Sequence, residues 1–299
     1  MEQKTYLVTG ASKGIGLELS KCLASTGVNV ILLARDTPML EKSLQTVQSI
    51  SPSSSSITCD LADDKSIDKA ILVLRQSFQK LDGIIHNAGM ISPIMPMNRA
   101  PSDAWAENIQ VNLIGVQRLT QGLHSLMKAS KHCRVTTISS GASLRPIESW
   151  SSYCVAKAGQ DMWARCLAEE GKVDGITAIS IAPGIVDTDM QKEIRSADSE
   201  NFPSLSSFVG YYEDGDLSNA KDVAKKLLPL ITTHLYDSVK ELYVPLPYCR
   251  VVKRPRLHLC LFSESCGKLT TVSVFFFSKR THSAARILEQ MFLHTLPGG

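Results

Sequence analysis

The chain has 299 residues, 43% hydrophobic and 20% charged, the profile of a soluble globular protein with room for one large α/β domain or two smaller ones. Its formal charge of +3 is uneven: from Arg250 onward eight Lys/Arg stand against two acids, Glu264 and Glu289, so a mildly acidic body carries a basic tail, which argues against a nucleic-acid binder. No apolar run reaches the ~18 residues of a membrane span, and the eight cysteines contain no Cys-x-x-Cys pair, so they read as reduced thiols rather than a metal site.

Thr5–Thr9 is a short apolar run with the pattern of a strand. It leads into Gly10-Ala11-Ser12-Lys13-Gly14-Ile15-Gly16, then a helical pattern with Leu17, Leu19 and Leu23, and Gly27 as its stop. Residues 28–33 are the next strand, which completes an opening βαβ unit. Glycines in such a turn let the backbone approach a pyrophosphate, and the following helix N-terminus attracts it. Gly10, Ser12, Lys13, Gly14, Ile15 and Gly16 are therefore candidate cofactor-binding residues, although their spacing departs from G-x-G-x-x-G.

The second strand ends Leu33-Ala34-Arg35-Asp36. A carboxylate for a ribose 2′-hydroxyl is expected near its end. Ala34 has none, whereas Arg35 offers a planar cation suited to a 2′-phosphate, with Lys13 as a second positive charge. These residues point to NADP(H). Asp36 argues the other way but has a local use, since Asp36 or Thr37 can cap the next helix ahead of Pro38.

Residues 51–56 are serine-rich. Residues 57–59 are a third strand, followed by Asp60 and Leu61. Asp60 is suited to an adenine amino group or to starting a turn. Ile67, Ile71 and Leu74 mark one helix face. Gly83–His86 is a fourth strand running into Asn87-Ala88-Gly89, small residues that let backbone pass under a cofactor. His86 reads as structural. Residues 105–127 read as one long helix, and Asn112 within it is a structural tie or a site residue. Residues 134–138 are a fifth strand ending at Ser139-Ser140. Residues 177–181 are a sixth, ending Pro183-Gly184-Ile185-Val186-Asp187-Thr188. Residues 191–215 show little periodicity and hold Phe202, Phe208, Tyr211 and Tyr212, the signature of a lid spanning about 189–217. Another helix starts near Ser218, and residues 241–244 are a seventh strand.

Tyr153 and Lys157 lie four residues apart on the helix that runs to about Gly171, so they share one face. Alone, this pair fits an ordinary solvated surface. An ammonium beside a phenol favours the phenolate and lowers its pKa from about 10. A tyrosine so tuned exchanges protons with a carbonyl or alcohol near neutral pH.

Alternating strands and helices imply an α/β fold: a doubly wound, mainly parallel seven-stranded sheet with helices on both faces. Ligands bind outside the carboxyl ends of such strands, where the residues above collect. Thr9-Gly10-x-x-x-Gly14-x-Gly16, Asp60, Asn87-Ala88-Gly89, Asn112, Ser140, Tyr153-x-x-x-Lys157 and Pro183-Gly184, in that order, resemble the short-chain dehydrogenase/reductase family and its Rossmann fold. Residues 182–191 are similar to its sepiapterin reductase and benzil reductase branch. The resemblance implies an NADPH-dependent reductase of a small carbonyl substrate, a diketone such as benzil or a pterin side-chain ketone. It implies Tyr153 as general acid and Lys157 as the residue that holds the ribose hydroxyls. Ser140, 13 residues before Tyr153, binds the substrate carbonyl, and Asn112 holds a relay water. Ile185, Val186 and Thr188 belong to the carboxamide end. Members acting on ketoacyl or sugar-alcohol substrates, and non-catalytic NADP(H)-binding members, are the alternatives. Many members pair as homodimers.

The resemblance spans about residues 4–244, giving a reductase domain over 1–248 and an atypical basic tail over 249–299. The tail fits a translated intron or shifted frame, a genuine extension, or a membrane- or partner-binding segment. It lacks a clear amphipathic helix, which argues against membrane contact. In sepiapterin reductases an acidic residue near the last strand helps hold the pterin; Glu241 is the candidate for that place, on a local match too poor to decide it. No signal peptide is visible, so the expected location is cytoplasmic.

Overall fold

The fold of this computed structural model follows from its central strands, which are buried residue after residue without alternation, so that both faces of the sheet must be covered. The structure describes residues 3–232 and 243–245. In chain order it contains β1 (Thr5–Thr9), α1 (Gly14–Ala24), β2 (Asn29–Ala34), α2 (Pro38–Gln48), β3 (Ser55–Thr58), α3 (Asp64–Ser77) and β4 (Gly83–His86). There follow α4 (Ser102–Ile109), a π turn (Gln110–Ile114), α5 (Gly115–Gly122), α6 (His124–Lys128), β5 (Cys133–Ile138) and α7 (Ser151–Glu170). The series ends with β6 (Ile176–Ala182), α8 (Asp189–Arg195), α9 (Leu205–Glu213), α10 (Ala220–Thr232) and β7 (Tyr243–Pro245).

All pairings are parallel, in the order β3-β2-β1-β4-β5-β6-β7. The order reverses between β1 and β4, which opens a crevice at the carboxyl ends of both. The period of two in the strands sends neighbours to opposite layers. Val8 and Leu32 pack with Leu19 and Leu23 of α1 and Leu227 of α10. Leu7, Ile31 and Leu33 pack with Ile67 and Leu74 of α3 and Leu119 of α5. Each such leucine or isoleucine is fully buried, worth about 1.5–3 kcal/mol of transfer free energy. No helix among the described residues is long and apolar enough to cross a membrane.

Three expectations change. The helix foreseen over 105–127 begins at Ser102 and is divided by the π turn and by Leu123, whose ψ of 5° leaves the helical range. Val116, Leu119, Leu123 and Leu126 stay buried across the break at Leu123, so periodicity did not reveal it, and the stripe begins only after the π turn and so does not report it. The aperiodic stretch 191–215 is largely α8 and α9 rather than loop. No residue of α9 is fully buried, so it has no stripe to read, and its anchor is aromatic contact. Finally, β7 is shifted by one or two residues from 241–244; Glu241 and residues 249–299 lie outside the described residues.

Candidate active site

The turn after β1 is built around close backbone approach. Gly10 and Gly14 have φ of +63° and +56°, a region costly for side-chain-bearing residues. A Cβ on Gly16 would lie 2.3 Å from the Gly10 carbonyl oxygen and 2.5 Å from Asn87 Nδ2. Asn87 Nδ2 donates to the carbonyls of Thr9 (3.1 Å) and Gly10 (3.3 Å). In return, Thr9 Oγ1 accepts from the backbone N–H groups of Asn87 and Ala88, each at 3.0 Å. Thr9 thus clamps the β1 and β4 turns together, a role its place at a strand end did not disclose. The α1 N-terminus lines the cleft at Gly14 and Ile15, beside Ser12, and the first turn of a helix carries N–H groups without intrahelical partners.

At the end of the cleft beside β2, Arg35 is exposed and lines it. Lys13 lines it too, but Lys13 Nζ pairs with Asp189 Oδ2 at 2.8 Å, so it reaches across to α8 instead of standing free beside Arg35. Thr37, not Asp36, caps α2, with Pro38 at its first position. Asp60 Oδ1 accepts from Ala62 N at 3.0 Å, which realises the turn alternative, while Asp60 and Leu61 both line the cleft.

Helix α7 carries Tyr153 and Lys157 into the floor, where they are 6% and 3% exposed. That rules out a solvated helix face. Lys157 Nζ donates to the Ile138 carbonyl (2.7 Å) and to Gln160 Oε1 (3.0 Å), and it stands 5.8 Å from the centre of the Tyr153 ring. Burial pushes the Tyr153 phenol up to about 12, with a hydrogen bond from Ser140 acting against the shift and Cys154 adding to it. Burial lowers Lys157 to about 8, and Asp161 acts against that shift. The sequence-based expectation of a phenol lowered by its lysine is therefore reversed in this structure. Desolvation outweighs an ammonium that is turned toward Ile138 and Gln160.

Ser140 Oγ accepts from Ala142 N at 3.2 Å as it starts a short 3₁₀ turn. It lines the cleft within reach of Tyr153. Ser139 Oγ is buried with no hydrogen-bond partner, which leaves Ser140 as the serine in the tyrosine's network. Asn112 is a tie: Oδ1 accepts from Met90 N (3.1 Å), and Nδ2 donates to Met90 O and Asn108 Oδ1, both at 2.8 Å. It thereby fixes the loop after Asn87-Ala88-Gly89. Its carbonyl accepts from Gln160 Nε2 at 3.1 Å, a contact foreseen by neither motif nor period. His86 is structural: Nε2 lies 2.7 Å from Thr120 Oγ1, and burial, then Lys157, lowers its pKa to about 3.

Beyond β6, Pro183, Gly184, Ile185, Val186 and Thr188 line the far end of the cleft, and Thr188 begins α8. Over the Tyr153 end sit Ile147, Trp150, Met190, Phe208 and Tyr211. Trp150 stacks on Phe202 at 5.5 Å and meets the Tyr153 ring edge-on at 5.8 Å. Met190 Sδ lies 4.0 Å from the Tyr153 hydroxyl. The whole cleft encloses about 1350 Å³. No group of three or more His, Cys, Asp or Glu suited to a metal ion occurs among the described residues.

A family model described as short chain dehydrogenase matches residues 4–199. The chain belongs to the short-chain dehydrogenase family. It is therefore an oxidoreductase of carbonyl and alcohol groups that uses a nicotinamide cofactor. The dinucleotide fits this structure, since the approach at Gly16 admits no side chain and the α1 N-terminus opens on the cleft. The chain is 31% identical over 251 residues to a benzil reductase ((S)-benzoin forming) of Saccharomyces cerevisiae, covering 81% of this chain and 95% of that one. It is likewise 31% identical to a benzil reductase of Bacillus cereus, covering 76% and 93%. The solved short-chain dehydrogenase/reductase of Saccharomyces cerevisiae superposes with a TM-score of 0.72 at 27% identity, over 81% of this chain and 95% of that one.

Proposed function

We propose that this protein reduces one carbonyl of a small diketone such as benzil, using NADPH. The observation that carries the reading is the burial of Tyr153 and Lys157 in a cleft floor roofed by Trp150, Phe208 and Tyr211. An aryl ketone matches that apolar, aromatic roof, and both benzil reductases are similar along most of this chain. Pterin ketones, ketoacyl thioesters and sugar-derived ketones are the competing substrates.

NADPH supplies the hydride when bound. The Gly10–Gly16 turn would hold the pyrophosphate, Arg35 would meet the 2′-phosphate, and the segment from Pro183 to Thr188 would hold the carboxamide. Lys157 would hold the ribose hydroxyls, for which its ammonium, bonded here to the Ile138 carbonyl, would have to leave or share that bond. Ser140 Oγ donates to the substrate carbonyl oxygen as negative charge develops there. Tyr153 Oη then delivers its proton to that oxygen. Burial that keeps the phenol protonated suits this direction, because a reduction consumes an acid.

The test is cofactor oxidation by purified full-length protein with benzil, a ketoacyl thioester and a sugar-derived ketone, each with NADPH and NADH. Benzil with NADPH is expected to give the highest kcat/KM; activity confined to another substrate would overturn the diketone assignment. Arg35→Asp is expected to lower the NADPH:NADH ratio of kcat/KM by roughly tenfold or more, about 1.4 kcal/mol. An unchanged ratio would remove Arg35 from 2′-phosphate recognition.

A further inference from the structure

Below Lys157 lies a buried polar layer that proton transfer as derived above does not use. Gln160 follows Lys157 by three residues on α7, so the two side chains share a face. It is fully buried. Its amide is satisfied at both ends: Oε1 accepts from Lys157 Nζ at 3.0 Å, and Nε2 donates to the Asn112 carbonyl at 3.1 Å. Asn112 lies in the π turn, whose wider hydrogen-bond register takes carbonyls off the ordinary helical ladder. A buried carbonyl so displaced needs a donor, and a buried ammonium needs acceptors. One glutamine supplies both.

The other groups facing Lys157 are few. From α7 come Tyr153 and Asp161, from β4 comes His86, and from the end of β5 comes the Ile138 carbonyl. Asp161 Oδ1 accepts from Ser180 Oγ, which itself accepts from Thr137 Oγ1 at 2.8 Å, and Asp161 acts on Lys157 through its charge without a hydrogen bond to it. His86 is engaged with Thr120. Among the described residues, the side-chain acceptor bonded to Lys157 is therefore the Gln160 amide.

We propose that Gln160 is a positioning residue for Lys157: its amide aims the ammonium, favours the charged form, and locks it to the Asn112 carbonyl of the π turn. Leu, of similar size, would remove both hydrogen bonds. Glu would put an anion in place of the amide oxygen. The two substitutions therefore act on the lysine in opposite directions, which a merely space-filling role would not produce.

The experiment is competitive acylation of the full-length chain with acetic anhydride across pH, with the Lys157 peptide read by mass spectrometry. The titration midpoint of Lys157 is expected to fall by roughly one pH unit in Gln160→Leu and to rise by a similar amount in Gln160→Glu. Unchanged midpoints in both variants, or shifts in the same direction, would overturn the proposal. Circular dichroism checks the fold, and Gln160→Met replaces Gln160→Leu should the latter fail to fold. The readout needs no turnover. A wild-type protein inactive on benzil would sink the diketone assignment and leave this titration to decide the glutamine's role.

Discussion

Tyr153→Phe is expected to lower kcat for carbonyl reduction roughly 1,000-fold, within the 10²–10⁴ range of a positioned general acid, and to leave NADPH affinity within about twofold. The phenyl ring keeps the edge-on contact with Trp150 and the packing among Ile91, Ala142 and Phe202, so the fold should be unaffected. What is removed is one hydroxyl, joined to Ser140 and near Met190 Sδ. Stopped-flow turnover beside a fluorescence titration with NADPH separates the two effects. A variant that keeps more than a tenth of the parent's kcat would transfer the acid role elsewhere. The same site sets a pH dependence. Burial holds Tyr153 protonated to about 12, so the phenol keeps its proton throughout the neutral and mildly alkaline range. Lys157, lowered by burial to about 8, loses its charge first. Reduction should therefore decline as pH rises through about 8, with the loss appearing in the KM for NADPH if the ammonium holds the ribose. A profile flat to pH 10 would contradict this account of Lys157.

Which parts of this arrangement were legible in the sequence follows from the range of the forces involved. Leu7-Val8, residues 30–33 and Ile84-Ile85 announce a covered parallel sheet, because each run must be apolar on both faces. The edge of that sheet then brings Gly10, Asn87, Ser140 and Pro183 together with no further information. The Tyr153–Lys157 pair was visible as spacing, but its sign was not. Spacing shows that an ammonium is near a phenol; it does not show that the ammonium turns to Ile138 and Gln160 while the phenol loses its water. Similarly, Lys13 looked like a free cation until Asp189, 176 residues away, took its charge. The π turn at Asn112 was hidden because one extra residue of helical register leaves the apolar stripe of α5 intact. Gln160 offered only one clue, a polar residue three positions after a lysine on a helix otherwise pointed at the core.

Gly16→Ala is expected to lower NADPH affinity by tenfold or more and stability by about 1–3 kcal/mol. Opposing terms decide the sign. Alanine favours a helix by about 1 kcal/mol over glycine, and Gly16 is not among the positive-φ glycines, so its backbone imposes no penalty. Against this gain, the new Cβ would stand 2.3 Å from the Gly10 carbonyl oxygen, 2.5 Å from Asn87 Nδ2 and 2.9 Å from the Gly10 carbonyl carbon. Two of these are backbone atoms of the turn and cannot rotate aside. Relief requires that α1 slide away from β1 or that Asn87 release the Thr9 and Gly10 carbonyls. Each lost hydrogen bond costs about 0.5–1.5 kcal/mol, and either movement reshapes the turn proposed to hold the pyrophosphate. Gly27→Ala is the control. Gly27 has φ of +83°, and a Cβ added there would meet no heavy atom within 4 Å, so strain at this position lowers stability without touching the cleft. Thermal unfolding paired with NADPH titration distinguishes the two. Gly27→Ala should lose stability alone, whereas Gly16→Ala should lose both, and a Gly16→Ala protein that binds NADPH as the parent does would show that the turn is not the cradle.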